Sequence, residues 1–111
     1  MRKAVFLGML VLSVAALGLA GDAKTWNGYL VDKMCGKPER AAGHTKSCTE
    51  KCAGSGLGVV ADGKFLPFDE KGNQLAADFL KETKQVKGVK ILVEGMQEGE
   101  LIKVTSLKDA E

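Results

Sequence analysis

The sequence predicts a mainly β chain of the α+β class: five strands, one clear helix and one inserted segment rich in cysteine. Three observations predict it. Apolar and polar residues alternate in short runs from Thr25 to Leu107, the signature of half-buried strands. A single longer stretch, "QLAADFLKET", instead puts Leu75, Ala76, Phe79 and Leu80 on one helical face. All three cysteines and the only histidine fall within "CGKPERAAGHTKSCTEKC", residues 35–52.

The elements follow in order. "TWNGYLVD" (25–32) sets Trp26, Gly28 and Leu30 against Asn27, Tyr29 and Val31, and reads as the first strand. The cysteine segment comes next and ends at the flexible "GSGLG". "VVADGKFLPF" gives two short strands around Asp62-Gly63, a pair suited to the positive φ angles of a tight hairpin. Pro67 has no amide hydrogen to give a ladder, which places its strand at an edge or near its end. Asn73 is the expected cap of the helix. "VKILVEGM" and "LIKVTSL" then form a closing hairpin, with Val89, Ile91, Val93, Ile102 and Val104 facing inward. Five strands with a helix between the third and fourth is the element order of the OB-fold, a small and partly open Greek-key barrel. A five-stranded α+β roll fits the same order. On the barrel reading, the cysteine segment is an insertion after strand 1, on a loop that this fold uses for function.

The N-terminus bears on compartment. Arg2 and Lys3 precede an apolar run from Ala4 to Ala20, followed by small and then polar residues. This describes a secretory signal peptide over 1–23, with cleavage after Ala20 or Ala23. At seventeen residues with two glycines, the run is at the short limit for a spanning helix. The expected product is an exported, periplasmic or extracellular domain over 24–111, with no stable membrane insertion after cleavage. Its charge is nearly balanced: 14 basic residues face 14 acidic ones, or 13 if Asp22 leaves with the signal. Such a balance gives no electrostatic case for nucleic acid or an anionic membrane. A domain this small with few aromatics gains from a covalent or metal staple.

Written as spacing, the segment is C-x8-H-x3-C-x3-C, with Cys35, His44, Cys48 and Cys52 as candidate metal ligands. Residues 44, 48 and 52 step by four and would line one face of a helix begun by Thr45 or Ser47 and stopped by Gly54. Cys35, ahead of a Gly36 and Pro38 turn, could fold back to complete a tetrahedron. Three cysteines and one histidine form a common zinc set, and three thiolates equally suit Cu(I).

A disulfide is the competing reading, because exported proteins meet oxidising surroundings. Cys48 and Cys52 are awkward partners on a helix, their Cβ atoms about 5–6 Å apart where a bridge wants about 4 Å. Cys35 with either of them closes a loop of about 14–18 residues, for roughly 3 kcal/mol on the chain-entropy model. Either pairing leaves an odd thiol. A redox role is weakly indicated, since the spacing is C-x3-C and no βαβ unit surrounds it. His44 near Cys48 suggests a nucleophile and base, but no orienting third group is marked out, so the chain is read as non-enzymatic.

Other residues have plainer readings. Met34 reads as core filling before it reads as a thioether ligand. Trp26 reads as a core or barrel-end residue. Asp32 reads as a cap for the insertion, or as a hydrogen-bond partner to a ligand. Glu94, Glu98 and Glu100 suit a solvated hairpin.

Taken together, "WNGYLVDKMCG", the H-x3-C-x3-C segment and "VKILVEGMQEGELIKVTSL" resemble a group of small exported bacterial proteins of unknown function. They share a W-x-G-x-[LIV]-x-D-x-x-C opening. The resemblance implies an OB-like barrel and matches Trp26, Gly28, Asp32, Cys35, His44, Cys48 and Cys52 by position; it brings no activity with it. The middle of this chain, "LPFDEKGNQLAADFLKET", is longer and more helical than the link in that group. The expectation is a domain binding zinc or Cu(I) through Cys35, His44, Cys48 and Cys52, with a disulfide-stapled interaction module and an unidentified protein partner as the alternative.

Overall fold

The computed structural model describes residues 23–110. The expected leader, apart from Ala23, lies outside the described residues. Chain order is β1 (Lys24–Asp32), a 3-10 turn (Pro38–Gly43), α1 (Lys46–Lys51), a second 3-10 turn (Ala53–Ser55), β2 (Leu57–Ala61), β3 (Lys64–Pro67), α2 (Glu70–Glu82), β4 (Lys90–Glu98) and β5 (Leu101–Asp109). The five strands make one antiparallel sheet in the order β3-β2-β1-β4-β5. The chain is therefore mainly β, with the Cys/His segment between β1 and β2 and the long helix between β3 and β4.

Strand β1 is the hub. Its first part, Lys24 to Tyr29, pairs with β4, while its last part, Tyr29 to Asp32, pairs with β2. The two neighbours are staggered, so they overlap only at Tyr29. Gly28 sits at this handover for a steric reason: a Cβ there would lie 2.1 Å from the carbonyl oxygen of Val60. No side chain fits without parting the strands.

The turns obey their local chemistry. Asp62 (φ 53°) and Gly63 (φ 72°) both take the left-handed conformation that a two-residue hairpin requires. Pro67 ends β3, an edge strand, where its missing N–H removes no ladder bond.

The start of α2 corrects the sequence reading. The helix begins at Glu70, and its cap is Asp69, whose Oδ1 accepts from Gly72 N at 2.9 Å and from Val104 N at 3.1 Å. Asn73 lies one turn inside. Its Oδ1 accepts from Leu57 N at 2.7 Å and its Nδ2 donates to Phe68 O at 3.1 Å, so it ties the helix to β2 instead of capping it. Gly72, between the two, lets the first turn press on β5: a Cβ there would stand 2.5 Å from Val104 Cγ2.

Two apolar clusters lie on opposite faces of the sheet. The larger gathers Leu30, Val59, Ala76, Leu80, Val89, Ile91, Val93, Ile102 and Val104 with others between the sheet and α2, and Trp26 packs at its margin. Each fully buried aliphatic side chain contributes about 1.5–3 kcal/mol. The smaller consists of Val31, Ala41 and Val60, flanked by Tyr29 and Phe65. Alternation along β1 explains the pair: Leu30 enters one cluster and Val31 the other. Ala41, from the 3-10 turn, thus presses the Cys/His segment onto the face away from α2. At the far edges, a single parallel bridge, Phe68 to Ile102, joins the end of β3 to β5, backed by Asp69 N donating to Ile102 O at 3.0 Å. Among the described residues, no helix is long and apolar enough to cross a membrane.

Candidate metal centre

The site grows from the end of β1. Asp32, fully buried, is the strand's last residue. Its Oδ2 accepts from Cys35 N at 2.7 Å, and its carbonyl accepts from Gly36 N at 2.9 Å, turning the chain sharply after the strand. Position 36 must be glycine, because a Cβ would stand 2.4 Å from Val31 Cβ and 2.5 Å from Asp32 O. Pro38 then opens the 3-10 turn, where its fixed φ is an advantage.

His44 follows that turn in extended conformation, one residue ahead of the α1 cap. The cap is Thr45, whose Oγ1 accepts from Cys48 N at 3.1 Å. Cys48 sits in mid-helix, and Cys52 is the C-terminal capping residue, its N–H donating to Cys48 O at 3.1 Å. The expectation that 44, 48 and 52 share one helical face is corrected accordingly. With Thr45 as cap, His44 lies outside the helix. The segment is pinned from the other side by the strand-like stretch before β4: Lys46 N donates to Val86 O and Gly88 N to His44 O, both at 2.9 Å.

These supports bring four ligand atoms together. One atom each from Asp32, Cys35, Cys48 and Cys52 lies within 4.8 Å of all the others. The sulfurs of Cys35 and Cys52 are 3.7 Å apart, and all three thiols are free. Two sulfurs bound to one tetrahedral ion at about 2.3 Å stand roughly 3.8 Å apart, whereas a disulfide closes to about 2.05 Å. The observed spacing excludes a formed disulfide and is compatible both with a thiol–thiol hydrogen bond and with two ligands of one ion. His44 stands beside this set and joins it through Asp32: its Nε2–H donates to Asp32 Oδ1 at 2.8 Å. Three of the four sequence-predicted donors thus lie together, with the Asp32 carboxylate beside them.

Burial and neighbouring groups favour the protonated form of Cys48 and Cys52. Cys48 is raised above its ordinary 9.0, first by desolvation, then by the nearby Cys35 and Asp32. Cys52 is pushed up to about 11, chiefly by its hydrogen bond with Cys35, with burial and the Asp32 charge adding to it. A raised thiol is a poor nucleophile at neutral pH. The linkage has a definite sign. In the metal-free chain, the neutral Cys52 thiol favours the fold fully below pH 9, and that contribution is lost as pH rises toward 11. Cys52 is therefore expected to alkylate far more slowly at pH 8 than the same cysteine in denatured protein, and to speed up about tenfold per unit until near pH 11. Mass-resolved alkylation of native protein checks this; equal rates at pH 8 would refute it.

The plainer readings sort as follows. Met34 is 69% exposed, so it is not core filling: its backbone N–H is held by Ser55 Oγ, which turns the side chain outward from a tight loop. Trp26 packs against the main core as expected. Asp32 both caps the insertion and holds the histidine. What sequence reading missed is its closeness to all three sulfurs. The available signal was its position three residues before Cys35, the spacing at which an Asp side chain receives a backbone N–H and is drawn to the next cysteine. Compared with protein-family models, curated proteins and solved structures, the chain gives no significant match.

Proposed function

We propose that this chain is an exported, non-enzymatic domain that binds one soft or borderline metal ion through Cys35, Cys48 and Cys52, with the Asp32–His44 pair completing the ion's surroundings. The observation that carries the reading is the convergence of three thiol sulfurs and a carboxylate oxygen within 4.8 Å. Thiolates select Zn or Cu(I) over hard cations. Cys48→Ser is expected to lower affinity at least about a hundredfold, measured by competition against a chromophoric chelator. Unchanged stoichiometry and affinity would sink the assignment. Because thiols must lose protons to bind, affinity should also rise with pH below about 11.

The proposal extends to the scaffold. The sheet order together with the Phe68–Ile102 bridge supports a partly open barrel of the OB kind, with the site on the connection after its first strand.

One observation favours a second reading. Cys35 and Cys52 are already in contact, so a disulfide-bearing oxidant could join them and leave Cys48 free, making the segment a staple for an interaction module. Intact mass of the exported protein, native and denatured with alkylation, separates the two. One metal and three alkylated thiols support the ion site; a metal-free mass two hydrogens light, with one alkylated thiol, supports the staple.

A further inference from the structure

We infer that the ion held here is Cu(I), bound by the three sulfurs alone, with Asp32 and His44 kept outside the coordination sphere. The inference rests on the metal reading above and narrows it. It follows from which donors are already committed. Asp32 is fully buried, and each of its oxygens is engaged: Oδ2 by the backbone N–H of Cys35 at 2.7 Å, Oδ1 by His44 Nε2 at 2.8 Å. The first of these bonds shapes the turn that places Cys35, so a carboxylate shifted onto an ion would release the backbone that aims a sulfur. His44 spends its Nε2 on Asp32 and is not among the residues whose donor atoms converge. Three thiol sulfurs remain.

That count discriminates between the two candidate ions. Zinc in protein sites that only hold it is almost always four-coordinate, and with three protein donors it keeps an open position for water. Cu(I) is a soft monovalent ion with a filled shell, content with two or three thiolates and indifferent to carboxylate oxygen. The fixed Asp32–His44 pair then has a different task. It holds Cys35 in place from behind and keeps a charged, hydrogen-bonded wall beside the sulfurs, as outer partners of metal ligands commonly do. Among the described residues, the converged set offers three sulfurs, and its fourth member is a carboxylate whose two oxygens already accept hydrogen bonds.

The test is X-ray absorption on the full exported protein, loaded without oxygen with one equivalent of Cu(I) supplied as its acetonitrile complex, and separately with Zn(II). We expect three sulfur neighbours and no nitrogen or oxygen around copper, and at least one nitrogen or oxygen neighbour around zinc. His44→Gln should leave the sulfur-only copper spectrum unchanged. A nitrogen or oxygen neighbour on copper that disappears in His44→Gln would overturn the inference, as would a chain that takes zinc but not Cu(I); in both cases the metal reading stands. A chain that takes neither ion overturns both. Should His44→Gln fail to fold, the wild-type copper spectrum decides alone.

Discussion

Asp32→Ala is expected to lower stability by about 3 kcal/mol, seen as a fall in the urea midpoint at unchanged slope. The estimate rests on what the carboxylate does. It accepts one hydrogen bond from the backbone of Cys35 and one from His44, entirely out of solvent. Removal leaves a buried N–H without its partner and a largely buried imidazole unpaired, and each such loss costs about 1–3 kcal/mol. Asp32→Asn keeps one amide oxygen and the shape, so it should lose only about half as much. The damage should also be local. Cys35 loses the turn that aims it, so metal binding should weaken even under conditions where the variant remains folded. An alanine variant with wild-type midpoint and wild-type affinity would show that the pair is ornamental.

Gly28→Ala should be equally severe, for a reason that involves no chemistry at the site. The added methyl would start 2.1 Å from Val60 O, well inside contact distance, and the obstruction is backbone. Strands β1 and β2 must separate just where β1 passes from one partner to the other. Overpacking of this kind costs about 3 kcal/mol, or roughly 15 °C in melting temperature for a domain of this size. Gly43→Ala is the control, since nothing lies within 4 Å of its would-be Cβ. It should change the melting temperature by no more than a few degrees. Similar shifts for both variants would contradict the close approach of the strands.

Much of this fold could be read from the residues because its signals are local. Val89, Ile91 and Val93 alternate as a half-buried strand must, and Asp62-Gly63 announces its hairpin without any tertiary information. The helix start was misread because Asp69 and Asn73 are both good caps, four residues apart, with a glycine between them. Choosing between them depends on Val104 and Leu57, distant in sequence and invisible to a local rule. The candidate site divides the same way. Counting cysteines found three of its donors. The place of His44 rests on a contact with Asp32 across the fold, so helical spacing could not supply it. Asp32 itself follows a local rule, but only the folded chain brings its carboxylate within 4.8 Å of all three sulfurs.

The Cys/His segment hangs from the sheet by bonds in which none of its sulfurs takes part: Ala41 in the smaller core, and the links from Lys46 to Val86 and from Gly88 to His44. On the proposed metal reading, an ion would meet donors whose positions were set when the chain folded, leaving little ordering entropy to lose on binding. Loaded and empty forms would share one outline. If the site does hold an ion, its filling would then be signalled by the charge at the sulfurs and not by a change of shape.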